Sequence, residues 1–211
     1  MKYALITDFD GTITMRDMAH VLIEHYKVNG ITCEPDHECD DDAKVWMRCH
    51  IGAIQAPQNE FEHFVKTTAV ARHGFKDVAD FCLSNNIPLE ITSGGVDIYI
   101  KPVLETIDVK DIPVYSANGR FKEGGGIEIN YPLLENFLLA DFKAHRVKHY
   151  KKQGYTTIYC GDGMTDYKAA LEADIAFATA NLLDAMRKEG REVKELSSYK
   201  EVEKILQGHK R

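Results

Sequence analysis

The chain reads as an α/β protein: a doubly wound, mostly parallel sheet of Rossmann-like type with an inserted helical cap and a small β-hairpin flap. Three observations predict this. Short apolar runs ending at polar, glycine-containing turns recur along the chain, as buried parallel strands do. Helical patterns alternate with those runs, the signature of strand–helix–strand units. One long segment, residues 15–73, breaks the alternation and carries helical spacing only.

The first apolar run is Tyr3–Thr7, which stops at Asp8-Phe9-Asp10-Gly11-Thr12. Comparable runs lie at Pro88–Thr92, Pro113–Ser116, Thr156–Cys160 and Ile175–Ala178. Between them fall helical patterns at Phe75–Asn85, Val96–Ile107, Asp141–Gln153 and Thr165–Glu172. Ser198 and Glu201 have capping-box spacing for a last helix through Leu206. Within 15–73, apolar residues recur at helical intervals in three places: Met18 to Tyr26, Val45 to Cys49, and Phe61 to Val65. We expect this segment to be a substrate-selecting cap inserted after the first acidic loop, with residues 1–14 and 74–211 forming the core. In Val114–Asn130, Asn118-Gly119 and Gly124-Gly125-Gly126 punctuate an expected hairpin.

The 211 residues are 44% hydrophobic and 28% charged, ordinary for a soluble protein able to bury a full core. A net charge of −7 argues against nucleic acid or an anionic membrane as the main partner, since both reward basic patches. No apolar stretch approaches the roughly 20 residues of a membrane span, and apolar residues 3–6 are too few for a signal peptide. The expectation is a cytoplasmic monomer or homodimer. Five cysteines, at 33, 39, 49, 82 and 160, read as reduced thiols. Cys33, His37 and Cys39 match no familiar zinc spacing and read as part of a solvated acidic loop.

Two acidic loops at strand ends carry the chemistry. Side chains alternate along an extended segment, so Asp8 and Asp10 can face one side while Phe9 enters the core. One carboxylate of such a pair can attack phosphorus. The other can give a proton to the departing oxygen. Gly161-Asp162-Gly163-Met164-Thr165-Asp166 supplies two more carboxylates, four residues apart, with no histidine partner. That donor set suits Mg²⁺, which takes few carboxylates, several waters and substrate phosphate oxygens. Ionised Asp8, Asp162 and Asp166 with a phosphate dianion sum to roughly −5, which one Mg²⁺ and one ammonium reduce to roughly −2. Thr92-Ser93-Gly94-Gly95 offers a hydroxyl and bare backbone N–H groups at a strand end, a cradle for phosphate oxygens. Lys143, at the start of a helical pattern, is the candidate ammonium.

Taken in order, these four stretches resemble the haloacid dehalogenase superfamily of phosphohydrolases. The resemblance implies Asp8 as nucleophile, Asp10 as general acid and base, and Thr12, Ser93, Gly94 and Lys143 on the phosphate. It implies Mg²⁺ held by Asp8, Asp162 and the Asp10 backbone carbonyl, with Asp166 in support. An acid at position 10 favours ester hydrolysis over the dehalogenases, phosphonatases and ion-pumping ATPases of the superfamily.

The helical insertion after the first motif, Ser93-Gly94-Gly95 and the hairpin look like the phosphoserine phosphatase branch. Asp10-Gly-Thr-Ile-Thr-Met-Arg-Asp17 and Ile91–Asp97 look most like its methionine-salvage members, which act on a hydroxy-keto-methylthiopentenyl phosphate. Phosphoserine phosphatases usually place glutamate where Asp17 stands. Asp17, Trp46 and Arg48, with His50 and His63, are the candidate substrate selectors. The expected activity is Mg²⁺-dependent hydrolysis of a small phosphorylated metabolite through an aspartyl-phosphate. A phosphotransferase or a non-catalytic binding protein of the same fold are the alternatives.

Overall fold

In a computed structural model, which describes residues 2–33 and 42–208, a seven-stranded sheet is ordered β4-β3-β2-β1-β5-β6-β7. The strands are β1 (Tyr3–Thr7), β2 (Leu89–Val96), β3 (Val114–Phe121), β4 (Ile127–Asn130), β5 (Thr156–Gly161), β6 (Ile175–Ala178) and β7 (Lys194–Glu195). All pairings are parallel except β3 with β4. The doubly wound α/β reading is therefore correct. β1 reads as one continuous apolar run because both its faces are covered, and every one of its residues is buried.

Helices α4 (Phe75–Ser84), α5 (Asp97–Thr106), α6 (Leu139–Lys152), α7 (Tyr167–Glu172), α8 (Ala180–Lys188) and α9 (Lys200–Gln207) connect or flank the strands. Two buried clusters result. The larger includes Leu5, Phe9, Ile91, Tyr99, Val103 and Phe177, and the smaller includes Ala4, Ile6, Val147, Tyr159 and Leu182. Alternate residues of β1 supply the two, as a strand buried on both faces must.

Between β1 and α4 lie α1 (Met18–Tyr26), α2 (Asp42–His50) and α3 (Gln58–Thr68), the three helical pieces their apolar spacing requires. The two ends of this stretch meet at one short crossing: Met15 N donates to Val70 O at 2.8 Å and Arg72 N to Ile13 O at 2.6 Å.

Three details depart from the sequence reading. β2 does not stop at Thr92 but runs on through Ser93, Gly94 and Gly95 to Val96. Asn118 and Gly119 sit inside β3, and the hairpin turns instead at Lys122–Gly126, where three consecutive glycines take positive φ. At Ser198 the hydroxyl accepts from Lys200 N and donates to the His73 carbonyl, so it joins α9 to the start of α4.

Candidate active site

Asp8 follows β1, the strand with β2 on one side and β5 on the other. The connections diverge there, opening a crevice at the carboxyl ends of the strands. The acidic loop turns tightly, with Thr12, Ile13 and Thr14 N–H groups all directed at the Phe9 carbonyl and Phe9 itself fully buried. Gly11 has φ +68°, and a Cβ there would stand 2.3 Å from Asp162 Oδ2. Only glycine lets the first acidic loop close against the second.

Lys143 enters from α6 with a buried ammonium. It donates to Asp8 Oδ1 at 2.7 Å and to Asp166 Oδ1 at 2.6 Å. Burial alone would lower its pKa, but Asp166 and Asp8 outweigh that and raise it. Asp166 also accepts from Tyr159 Oη on Oδ1, at 2.6 Å, and from the Asp162 and Gly163 N–H groups on Oδ2, at 3.0 Å each. With both oxygens doubly engaged, Asp166 orients Lys143 and the second acidic loop and is poorly placed to give an oxygen to a cation.

Asp8 and Asp162 are different. Thr12 Oγ1 donates to Asp8 Oδ2 at 3.2 Å and reaches Asp162 Oδ1 at 3.5 Å. Ligand oxygens of Asp8, Asp162 and Asp166 lie within 4.8 Å of one another. Burial pushes Asp8 up to about 7 against the pull of Lys143, with Asp166 adding to the rise. Asp162 is pushed up to about 8, by burial and then by Asp8 and Asp166. Crowded, desolvated carboxylates of this kind fit a hard divalent cation, whose charge would return them to the ionised form.

Asp10 stands apart from the trio. Its Oδ1 accepts from Met18 N at 3.0 Å, the first residue of α1, and its Oδ2 from Tyr99 Oη at 2.7 Å. Burial, then Asp17 and Asp8, raise its pKa well above the usual carboxylate value, which favours the acid form. A Cβ on Gly95 would lie 2.0 Å from Tyr99 Oη and 2.7 Å from Asp10 Oδ2, so the pair depends on that glycine. Ser93 Oγ is buried and accepts from Gly95 N at 2.9 Å, and Gly94 O accepts from Tyr131 Oη at 2.8 Å.

The candidate selectors divide. Asp17 caps α1, accepting from His20 N at 3.0 Å and pairing with His20 Nδ1 at 3.0 Å. Trp46 stacks between His20 and His50, with ring centroids 4.8 and 4.9 Å away. Arg48 lies over the Tyr131 ring at 5.3 Å. His63 is not brought to the carboxylates; it lines a surface groove with His25, Tyr26 and Phe64. Sequence reasoning missed Tyr131, Tyr99, Tyr159 and Lys44. Lys44 is a fully buried lysine of α2 that donates to the Leu134 carbonyl at 2.8 Å and to that of Phe137. Tyr131, Tyr99 and Lys44 reach their partners across the fold, while Tyr159, seven residues before Asp166, reads only as part of an apolar strand run.

The cysteine reading needs correction. Cys33 and Cys49 form a disulfide that joins the exit of α1 to the end of α2, with His50 Nδ1 3.9 Å from Cys33 Sγ. Counting parity could not reveal a contact across 16 positions. Cys82 and Cys160 are free and buried, and burial pushes the Cys82 thiol up to about 12. His37 and Cys39 lie outside the described residues.

Residues 5–171 match the family model of the haloacid dehalogenase-like hydrolases. The chain belongs to that family. A 2-hydroxy-3-keto-5-methylthiopentenyl-1-phosphate phosphatase of Brevibacillus brevis is 26% identical, covering 98% of this chain and 96% of its own. A polyol phosphate phosphatase of Saccharomyces cerevisiae is 24% identical, covering 100% and 96%. The fold is also that of a substrate-bound phosphoserine phosphatase, with a TM-score of 0.69 at 16% identity over 97% of this chain and 98% of that one. As a haloacid dehalogenase-like hydrolase with phosphatase relatives, the chain is a phosphoric monoester hydrolase. Among the described residues no helix is long and apolar enough to cross a membrane.

Proposed function

We propose that this phosphatase hydrolyses a small phosphorylated metabolite through a phosphoryl group carried on Asp8, with Mg²⁺ as cofactor. One observation carries the reading: a buried carboxylate at the switch point of the sheet is paired to a buried lysine, while a second carboxyl, raised in pKa by burial and by Asp17 and Asp8, sits two residues on. An Asp8 oxygen forms the new bond to phosphorus, and the bond to the leaving oxygen breaks. Asp10 gives that oxygen its proton, then takes one from the water that attacks the phosphoaspartate. Lys143, Ser93 and the Gly94 backbone neutralise and orient the phosphate oxygens. Asp8, Asp162 and the Asp10 carbonyl would hold the cation, which supplies charge neutralisation when bound.

Residues 15–73 serve as the cap in this reading, with Asp17, Trp46 and Arg48 facing the substrate. The methylthiopentenyl phosphate and polyol phosphates named in the relatives suggest a short, linear, hydroxylated phosphomonoester. Purified protein assayed with Mg²⁺ against a panel of such esters, phosphoserine included, tests the class. Asp8→Asn should lower kcat by at least about 10³-fold, as removal of a covalent nucleophile does. A normal rate from that variant refutes the assignment. Added alcohols that accept phosphate faster than water would instead make the protein a phosphotransferase.

A further inference from the structure

Beneath the catalytic loop lies a cation that the proposed chemistry leaves unused. Arg72 is 7% exposed, and among the described residues no carboxylate pairs with it. Its donors go to main-chain carbonyls instead: Nη2 to Gly11 at 2.7 Å, Nε to Thr12 at 2.7 Å and Nη1 to Leu196 at 3.2 Å. A guanidinium buried without a counter-ion is costly, and such costs persist where the surroundings require the group.

The placement explains the requirement. Gly11 and Thr12 follow Asp10 directly. Gly11 approaches Asp162, and the Thr12 hydroxyl bridges Asp8 and Asp162. The peptide groups that carry these contacts turn their carbonyls toward Arg72. One planar fork therefore sets two successive peptide planes, which the compact ammonium of lysine cannot do. Arg72 also sits on the segment returning from α3, and its own N–H donates to the Ile13 carbonyl. Its third carbonyl partner, Leu196, is anchored to β6 through Ala178 O at 2.8 Å. Three parts of the chain meet at one side chain: the first acidic loop, the return from the inserted helices, and the carboxyl-terminal segment.

We infer that Arg72 is a positioning residue: it holds the Gly11 and Thr12 peptides so that Asp8 and Asp162 present their oxygens to one cation, and it ties the return from the inserted helices to that geometry. This rests on the reading of Asp8 and Asp162 as a divalent-cation site.

The test compares Arg72→Lys and Arg72→Gln with the unaltered chain, using Mn²⁺ affinity by electron paramagnetic resonance and steady-state kinetics with Mg²⁺. Near-UV circular dichroism establishes which variants are folded. The expected result is at least a tenfold rise in the Mn²⁺ dissociation constant and about a 10²-fold fall in kcat, as small misplacements of reacting groups produce. KM should move less than threefold, and lysine should restore little of the loss. A folded variant that keeps Mn²⁺ affinity and kcat within twofold of the parent overturns the inference.

If neither variant folds, native-state hydrogen exchange on the unaltered chain decides. The Thr12–Thr14 amides should open together with the amide of Arg72 and that of Leu196, and independent opening overturns the proposal. If the unaltered chain hydrolyses no phosphomonoester, the phosphatase reading fails, while the Mn²⁺ measurement still decides the role of Arg72.

Discussion

Two aspartates separated by one residue are both raised in pKa by burial, yet different atoms surround them. Asp8 faces a buried ammonium at 2.7 Å, whereas Asp10 faces a tyrosine hydroxyl, a backbone N–H and two other carboxylates. Different surroundings of this kind are what one carboxyl that attacks and a neighbour that donates a proton require. The Tyr99 hydrogen bond opposes the rise at Asp10, so removing it should carry that value higher. Tyr99→Phe is therefore expected to move the alkaline limb of the kcat/KM profile, where Asp10 must still hold its proton, to higher pH. An unmoved limb would show that the Tyr99–Asp10 contact does not tune the acid–base group. The aspartates were legible in the sequence because strand-end motifs keep them close along the chain, and Lys143 only through the ordered set that resembles the family. Tyr99, Tyr159, Tyr131 and Arg72 were not. Tyr99, Tyr131 and Arg72 lie far along the chain from the residues they serve, and Tyr159, seven residues before Asp166, is hidden within an apolar strand run.

At the scale of elements, the site depends on the register between β2, which carries Ser93, and α6, which carries Lys143. A buried pair sets that register: Arg146 donates to both oxygens of Glu90, at 2.8 and 2.6 Å, and Tyr150 Oη adds a third bond at 2.9 Å. Glu90 falls within the strand run read from the sequence and Arg146 within the helix, but their pairing was invisible there. Arg146→Ala would strand a carboxylate in the core and should cost about 3–5 kcal/mol of unfolding free energy. Glu90→Gln combined with Arg146→Met should cost clearly less, and denaturant titrations of single and double variants measure the difference. Equal losses would mean that packing, and not the charge pair, joins the two elements. The stretch between β1 and α4 carries a separate staple. The chain-entropy account gives about 3 kcal/mol for a disulfide closing a loop the size of Cys33–Cys49, so dithiothreitol should lower the unfolding midpoint. A midpoint insensitive to reductant would return Cys33 and Cys49 to the reduced state expected from composition.

For the whole molecule, the acidic site works against the fold that holds it. The parallel sheet and its switch point were legible because apolar runs bounded by glycine turns follow directly from burial on both faces. The energetic conflict was legible only as a charge count of roughly −5 on the carboxylates and phosphate. A carboxyl whose pKa is higher folded than unfolded destabilises the chain once pH exceeds its unfolded value near 4, and the penalty grows until pH passes the folded value. For Asp8 and Asp162 those folded values are about 7 and about 8. The metal-free protein should therefore lose stability as pH rises from 5 to 8. Asp77 and Asp108, lowered by hydrogen bonds to Lys200 and Lys110, oppose this trend only at lower pH. A cation that binds the ionised carboxylates adds stability by mass action, and adds it only where they have lost their protons. Saturating Mg²⁺ should thus raise the unfolding midpoint more at pH 8 than at pH 5, and Asp162→Asn should flatten both the metal increment and the pH slope. Calorimetry with and without chelator reads each quantity. An increment independent of pH, or one that survives Asp162→Asn unchanged, would place the cation somewhere other than between these carboxylates.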